Sequence, residues 1–242
     1  MSSIEATHLS KSFGNLTVLN DISLNVAKGE FFGLFGLNGA GKTTLLKILT
    51  GQLSADSGEV RTAGYSISDP ISIKRSVGIV PEAESPPTFL TARETLELSC
   101  LLRDLDKVSE RVDRWLDFFD LHEKSDVLCR DLSKGQRQKL MLISAFIHEP
   151  SLIFLDEAFI NLDPIYQRSL REYLKNLVEE GRTIFMCTHI LEIAEKLCSR
   201  VAVIDKGSIV AQGSIEELRS REGEGLEEIF IRAVKSENAH LQ

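Results

Sequence analysis

The segment that decides the fold runs from Phe31 to Thr44 and reads FFGLFGLNGAGKTT. Its first five residues predict a short buried strand, and a helical pattern, Thr43–Leu49, opens at its end. Between them, Gly36–Thr43 matches the pattern GxxxxGK[ST]. Glycines let the backbone N–H groups of such a loop point at phosphate oxygens, and the following helix presents its N-terminus to the same anion. The segment therefore predicts a nucleotide site.

The loop residues are the predicted phosphate contacts. We expect Lys42 to reach the β- and γ-phosphates and Thr43 to offer its hydroxyl to Mg²⁺. The full set of predicted nucleotide contacts in this segment is Gly36, Asn38, Gly39, Ala40, Gly41, Lys42, Thr43 and Thr44.

A second apolar run, Leu152–Leu155, ends in two carboxylates, Asp156 and Glu157. Ligands of open α/β sheets bind at the carboxyl ends of the strands. Successive strand residues point to opposite sides, so the two carboxylates can take different places. We expect Asp156 in the Mg²⁺ shell and Glu157 beside the attacking water.

The composition predicts a globular protein. The chain has 242 residues, of which 43% are hydrophobic and 26% charged, and a net charge of -8. That charge argues against a general nucleic-acid binder, and no nucleic-acid partner is expected. No apolar stretch approaches the roughly 20 residues of a membrane span, and the N-terminus lacks a signal-peptide pattern. The four cysteines are widely spaced, which predicts reduced thiols rather than a zinc site.

The order of the predicted elements indicates an α/β fold. The first third is β-rich, residues 91–148 show mostly helical spacing, and strands and helices alternate again after Pro150. Further predicted strands are Ile4–Leu9, Ile22–Val26, Val77–Val80, Thr183–Cys187 and Val201–Ile204. Further predicted helices are Ile165–Val178, Ile190–Leu197 and Leu226–Val234, with a frayed tail after Lys235.

Leu132–Gln136 reads LSKGQ and precedes a helical pattern over Arg137–Ile147. Ser133 is a good helix cap, and a helix N-terminus carrying a serine hydroxyl is also an anion site. A chain with one phosphate loop has no use for a second γ-phosphate site unless that site serves a partner's nucleotide.

With this segment the sequence resembles the ATP-binding subunits of ATP-binding cassette (ABC) transporters, because LSKGQ is similar to the family's LSGGQ signature. The motif order also fits, with Asn161–Asp163 as the D-loop and His189 as the switch histidine. Phe13 stands 23 residues before Gly36, where the family places an aromatic that stacks on adenine. The resemblance covers nearly the whole chain.

The resemblance implies an α/β fold with a P-loop NTPase core, made of a RecA-like parallel sheet and an N-terminal antiparallel β part. It also implies an α-helical subdomain inserted at about 88–148. Residues 1–220 would form the ATPase domain, and 221–242 a short C-terminal helix and tail. The implied cofactors are ATP and Mg²⁺.

The resemblance further implies a dimer that holds two ATP molecules head to tail, built from identical or related subunits. Ser133, Gly135 and Gln136 of one subunit would contact the γ-phosphate held by Lys42 of the other.

In the same family pattern, Glu157 would be the general base and His189 would contact the γ-phosphate. Asp163 would communicate across the dimer interface. The sequence departs from the family at Glu82, where a glutamine usually contacts Mg²⁺ and the water. A carboxylate can also ligate Mg²⁺, so Glu82 is a predicted metal ligand, the alternative being a solvated loop residue.

Three functions are compatible with the motifs. The favoured one is the ATPase of a transporter, peripheral on the cytoplasmic face of the membrane, driving a separate permease. The permease would contact the loop of residues 82–91, and the short tail after Ser220, together with Pro81 and Glu82, favours export. The alternatives are a soluble ABC-type ATPase acting on ribosomes or DNA, and a small-molecule kinase, which leaves LSKGQ unexplained.

Overall fold

The computed structural model describes residues 2–83, 85–221 and 223–240, with side chains up to Lys235, and these form ten strands and nine helices. The strands are β1 Ser2–Phe13, β2 Leu16–Ala27, β3 Phe31–Phe35, β4 Ser57–Thr62, β5 Tyr65–Ser66, β6 Val77–Val80, β7 Leu152–Asp156, β8 Thr183–Cys187, β9 Arg200–Asp205 and β10 Ser208–Ser214. The helices are α1 Lys42–Leu49, α2 Pro70–Ser76, α3 Ala92–Leu101, α4 Val108–Phe118, α5 Lys134–Phe146, α6 Pro164–Glu179, α7 Leu191–Leu197, α8 Ile215–Leu218 and α9 Leu226–His240.

The central sheet has six strands in the order β10–β9–β3–β8–β7–β6. Its pairs are parallel except β10 with β9, which is antiparallel. Strands β3, β7 and β8 are buried at every residue. Parallel strands covered on both faces need continuous apolar runs, which is how these three read in the sequence.

A second, antiparallel sheet has the order β2–β1–β4–β5. Its inward side chains, such as Ile22 and Leu24, share one hydrophobic core with Phe32 and Leu34 of β3 and Leu45 of α1. The antiparallel sheet therefore covers α1 and one face of the central sheet, and it holds the first helix behind the glycine-rich loop.

Helices α3, α4 and α5 lie between β6 and β7 in the chain, together with two short 3-10 turns. An aromatic cluster of Trp115, Phe119, Phe146 and Tyr173 packs these helices against α6. Ion pairs to Glu149 from helix α4 add a polar connection beside that cluster. The helical segment is thus joined to the sheet by aromatic packing as well as by its two chain connections.

The fold class predicted from the sequence is confirmed, with a parallel core sheet and an N-terminal antiparallel part. The C-terminal helix is longer than predicted, because α9 continues past Lys235 to His240, so the expectation of a frayed tail is wrong as far as His240; residues 241–242 lie outside the described residues. The sequence analysis also missed β4, β5, α2, β10 and α8, which are short or half-exposed and carry weak periodicity.

Two simple sequence expectations also agree with the structure. The four cysteines are free and buried. Within the described ranges, no helix combines the length and the apolar character that a bilayer crossing requires.

Candidate functional site

The ends of three neighbouring strands bring the predicted site residues together. Strand β3 leads into the glycine-rich loop, β7 ends at Asp156, and β8 is followed by Thr188 and His189. Since β8 pairs with both β3 and β7 in parallel, the three carboxyl ends lie side by side at one edge of the sheet.

The glycine-rich loop has the backbone that its glycines permit. Gly41 has φ +109° and immediately precedes α1, and a Cβ there would lie 2.7 Å from the Leu19 side chain. Lys42 is buried, and its ammonium donates hydrogen bonds to the carbonyl oxygens of Gly36 at 2.7 Å and Leu37 at 3.2 Å. The loop therefore curls around the ammonium group at its own centre.

A cavity of about 460 Å³ opens over this loop. Its lining unites nine predicted residues with one that the sequence did not single out, Val18 on β2. The lining residues are Val18, Asn38, Gly39, Gly41, Lys42, Thr43, Thr44, Glu82, Asp156 and Glu157. Lys42 is therefore the positive charge in a cavity that also holds three carboxylates.

The carboxyl group of Asp156 sits in an unusual electrostatic environment. Burial, followed by the neighbouring charges of Glu82 and Glu157, raises the pKa of Asp156 to about 6, and Lys42 offsets only part of this. A nearby cation stabilises the ionised form of a carboxylate that is buried near like charges. The cavity is thus short of positive charge beside Asp156.

Glu157 directly follows strand β7 and has a left-handed backbone, with φ +50°. Its carboxylate is held by the two residues that follow β8, the neighbouring strand of the sheet. It accepts hydrogen bonds from the Thr188 hydroxyl at 3.1 Å and the His189 backbone N–H at 3.1 Å, and lies 2.8 Å from His189 Nδ1. A left-handed backbone is uncommon for glutamate, so Glu157 departs from the extended strand immediately after Asp156.

A second cavity of about 350 Å³ adjoins the first and shares Asn38, Glu82 and Glu157 with it. His189 lies in its wall, as does Phe230 of α9, which the sequence analysis did not connect with the site. Gly36, also predicted, lines this second cavity, whereas Ala40 is buried beneath the loop, where its backbone N–H donates to Leu37.

The segment LSKGQ lies elsewhere, at the start of α5. The Ser133 hydroxyl accepts from the Gln136 N–H at 3.2 Å, and the Gln136 side chain accepts from the Ser133 N–H at 2.9 Å. In this capping box, the side chains of Ser133 and Gln136 both find hydrogen-bond partners within the same chain. Ser133 is exposed, so the helix N-terminus faces outward rather than toward the chain's own glycine-rich loop.

Asp163 also has a local structural role. It caps α6, its carboxylate accepting from the backbone N–H groups of Ile165 at 3.0 Å and Tyr166 at 3.1 Å, with Pro164 at the first helical position. This is a regular N-cap, which fixes the loop Asn161–Asp163 at the surface. A carbonyl of that loop, Asn161 O, lies 3.0 Å from where a side chain at Gly135 would begin.

Phe13 ends β1, with half of its side chain exposed, and the ammonium of Lys11 lies 5.4 Å from the ring centroid. The residue lies next to the turn of the β1–β2 hairpin, where Phe13 pairs with Leu16. Val18, a few residues along β2, lines the nucleotide cavity directly. Phe13 itself is not among the residues that line either cavity.

The comparison with known families agrees with this geometry. The model of the family described as "ABC transporter" matches residues 19–160, which include the glycine-rich loop, LSKGQ and the two carboxylates. The chain belongs to the ABC transporter family of ATP-binding subunits. It is accordingly an ABC ATPase.

The curated relatives of this ABC ATPase are ATP-binding proteins. It is 36% identical over 224 residues to the Nod factor export ATP-binding protein I of Paraburkholderia xenovorans, covering 91% of this chain and 74% of that protein. It is 31% identical over 245 residues to the linearmycin resistance ATP-binding protein LnrL of Bacillus subtilis, covering 96% of this chain and 79% of that one.

Solved structures support the fold of the ABC ATPase. A structure titled as the ATP-binding subunit of an ABC transporter superposes with a TM-score of 0.91 at 30% identity, covering 96% of this chain and all of that one. A dimeric ATP-binding cassette bound to ADP and Pi superposes with a TM-score of 0.81 at 23% identity, covering 88% of this chain, and supports the fold alone.

Six residues that line the two cavities of the ABC ATPase were not among the predicted contacts: Val18, Phe35, Leu37, Thr188, Leu191 and Phe230. Thr188 could have been found, because it directly precedes His189 at the end of a buried strand. Val18 and Phe230 belong to no motif and come from a hairpin and from the C-terminal helix. Only the tertiary structure brings these two residues to the cavities.

Proposed function

We propose that this ABC ATPase powers export through a separate membrane-spanning permease, on the cytoplasmic face of the membrane. The observation that supports export is that two relatives spanning most of this chain are named for Nod factor export and for linearmycin resistance. The permease, the direction and the location are all part of the proposal.

Within this proposal, Lys42 binds the β- and γ-phosphates, and the loop backbone surrounds them. The ammonium of Lys42 donates to the carbonyl oxygens of Gly36 and Leu37, and its third N–H is left for a phosphate oxygen. Phe13 stacks on adenine at the outer end of the cavity.

Glu157 acts as the general base on the attacking water, and His189 contacts the γ-phosphate. The support is geometric: the Glu157 carboxylate lines both cavities, and the imidazole of His189 and the hydroxyl of Thr188 orient it. Contacts from Thr188 and His189 fix the carboxylate of Glu157, and its remaining lone pairs are available for a water proton.

The residues around Asp156 fit a magnesium ion. Thr43, Glu82 and Asp156 offer oxygen ligands only, as Mg²⁺ prefers, and the raised pKa of Asp156 indicates a place that lacks a positive charge. Among the described residues, no group of three or more acidic, histidine or cysteine side chains could hold an ion unaided. A magnesium ion bound by Thr43, Glu82 and Asp156 would neutralise charge on the transferred phosphoryl group.

Glu82→Gln should keep the ATPase rate within about tenfold of wild type near pH 7.5, because an amide oxygen can still ligate Mg²⁺. The variant should also extend activity to lower pH. Removing the Glu82 charge lowers the pKa of Asp156 from about 6, so Asp156 stays ionised further into the acid range. Initial ATPase rates between pH 5 and 8 measure the first effect at saturating Mg²⁺ and the second at limiting Mg²⁺, where a proton competes with the ion for Asp156.

Complete loss of activity in Glu82→Gln would contradict the role given to Glu82. If the ATPase rate of Glu82→Gln falls at the same acid pH as that of wild type, the coupling between Glu82 and Asp156 is contradicted. Glu59→Gln, an exposed change on β4, is the matched control for a lost surface charge.

The second half of each ATP site comes from another subunit in this proposal. Ser133, Gly135 and Gln136 would contact the γ-phosphate of that subunit's nucleotide, and Asp163 would couple the two sites. The support is the exposed, capped N-terminus of α5, which is ready to bind an anion but faces away from its own loop. The partner is a second copy or a related ATPase.

The permease would dock on the loop of residues 82–91. Phe89 there is 76% exposed, an unusual position for a large aromatic ring, whereas Pro86 is buried and anchors the loop. We place the loop at the boundary between the helical subdomain of about 88–148 and the rest of the ATPase domain, 1–220. A partner pressing on this loop would act next to Glu82. Within this proposal, the C-terminal segment of 221–242 is separate from the ATPase domain, and its described helix is α9, Leu226–His240.

The test is a pull-down of the tagged chain from detergent-solubilised membranes, run beside Phe89→Ala. We expect a stoichiometric polytopic membrane protein with the wild type and several-fold less with the variant. Recovery of the chain only from the soluble fraction, with ribosomes, DNA-bound proteins or nothing, would overturn the export proposal.

A further inference from the structure

The second cavity has a wall that the proposed chemistry leaves unexplained. One side carries the polar groups Asn38, Glu82 and Glu157, which it shares with the nucleotide cavity. The other side brings Leu191 and Phe230 next to His189. An aromatic ring from the last helix of the chain thus borders the space beside the general base and its histidine.

His189 itself has few fixed supports. Its side chain is 60% exposed, and the polar contact of the imidazole is to Glu157, 2.8 Å from Nδ1. The helix that follows, α7, has only seven residues, and its N-cap, Ile190, makes no side-chain capping bond. Short uncapped helices depend on tertiary packing for their position.

Helix α9 supplies that packing. Leu226 and Ile229 are completely or almost completely buried, in the same core as Ile193, Ala194 and Leu197 of α7.

The segment before α9 is pinned by polar contacts. The buried carboxylate of Glu224 accepts from the Ser220 hydroxyl at 3.0 Å and from Arg232 Nε at 3.2 Å, and Arg219 pairs with Glu195 of α7 at 3.5 Å. The C-terminal helix is therefore held firmly against α7, the helix that follows His189, and this fixes where Phe230 lies.

We propose that Phe230 is a positioning residue for hydrolysis: its ring lines the second cavity together with His189 and keeps His189 directed at Glu157. The proposal rests on the roles given above to Glu157 and His189. An apolar ring offers the imidazole no hydrogen bond on the side that it occupies, so the bond to Glu157 is favoured over other orientations of the imidazole. The C-terminal helix thereby takes part in turnover without contacting the nucleotide.

The test compares Phe230→Ala with Phe230→Leu and with Ile231→Ala, a change at the neighbouring, 42% exposed residue of the same helix. We expect Phe230→Ala to lower kcat about fivefold with KM for ATP within about twofold, since small misplacements of an orienting group slow the chemical step more than binding. Phe230→Leu should recover most of the rate, and Ile231→Ala should match wild type. Thermal unfolding shows whether α9 stays folded in each variant.

A second measurement does not depend on turnover. Imidazole NMR signals of the nucleotide-free chain, with His189 assigned through a His189→Ala spectrum, should be shifted or broadened in Phe230→Ala and unchanged in Ile231→Ala. If Phe230→Ala leaves kcat and the His189 signal as in wild type while Glu157→Gln is inactive, the proposal for Phe230 is wrong and the site assignment stands. If Glu157→Gln turns over normally, the site assignment itself fails.

Discussion

Glu157→Gln should bind ATP, hydrolyse it about 10²- to 10⁴-fold more slowly than wild type, and accumulate as a dimer, because the general base is lost while the phosphate contacts remain. The amide is the same size as the carboxylate and can still accept from Thr188 or His189, so the local structure should persist. Single-turnover hydrolysis measures the rate, and light scattering with and without ATP measures the dimer.

The matched control is Glu172→Gln on α6, where the carboxylate pairs with Arg168 in solvent. Such surface ion pairs contribute little to the free energy of unfolding, so this variant should behave as wild type. A rapid rate in Glu157→Gln would show that another group activates the water. A variant that is slow but remains monomeric with ATP would contradict the proposed assembly around two nucleotides.

Lys42→Ala should lower the ATPase rate by at least about 100-fold and weaken nucleotide binding, since the ammonium is the main positive charge opposite the phosphates. The fold should survive. The substitution removes two hydrogen bonds to Gly36 and Leu37, but it also removes a charge from a buried position, and these effects oppose each other. Fluorescent-nucleotide titration and steady-state rates separate binding from turnover.

Lys47→Ala is the control on the same helix, because its side chain is exposed and a turn away from the loop. Near-normal turnover in Lys42→Ala would remove the basis of the site assignment. An equal loss of ATPase rate in both lysine variants would indicate a general electrostatic effect of α1 rather than a specific contact between Lys42 and the phosphates.

Local patterns predicted the backbone elements that carry the candidate site. The loop around Lys42 is fixed by glycines adjacent in sequence, and Asp156 follows a strand so apolar that its burial could be read directly. The fold class followed from the same apolar runs, because β3, β7 and β8 are buried on both faces.

What the sequence could not predict depends on distant contacts. Val18 and Phe230 reach the cavities only because a hairpin and the last helix pack there. The left-handed backbone of Glu157 has no local signature, since glutamate rarely takes that conformation. The length of α9 was underestimated because its first half carries the buried face, and the polar remainder extends the helix without an apolar pattern.

The position of β3 at the middle of the sheet has a consequence for biosynthesis. This strand, Phe31–Phe35, is made early, yet its hydrogen-bonding partners are β8 and β9, which are made close to the end of the chain. Both edges of a fully apolar strand therefore stay unpaired while most of the polypeptide leaves the ribosome. Such edges promote association between nascent chains. Truncation before Arg200 should therefore give aggregation rather than a smaller folded ATPase.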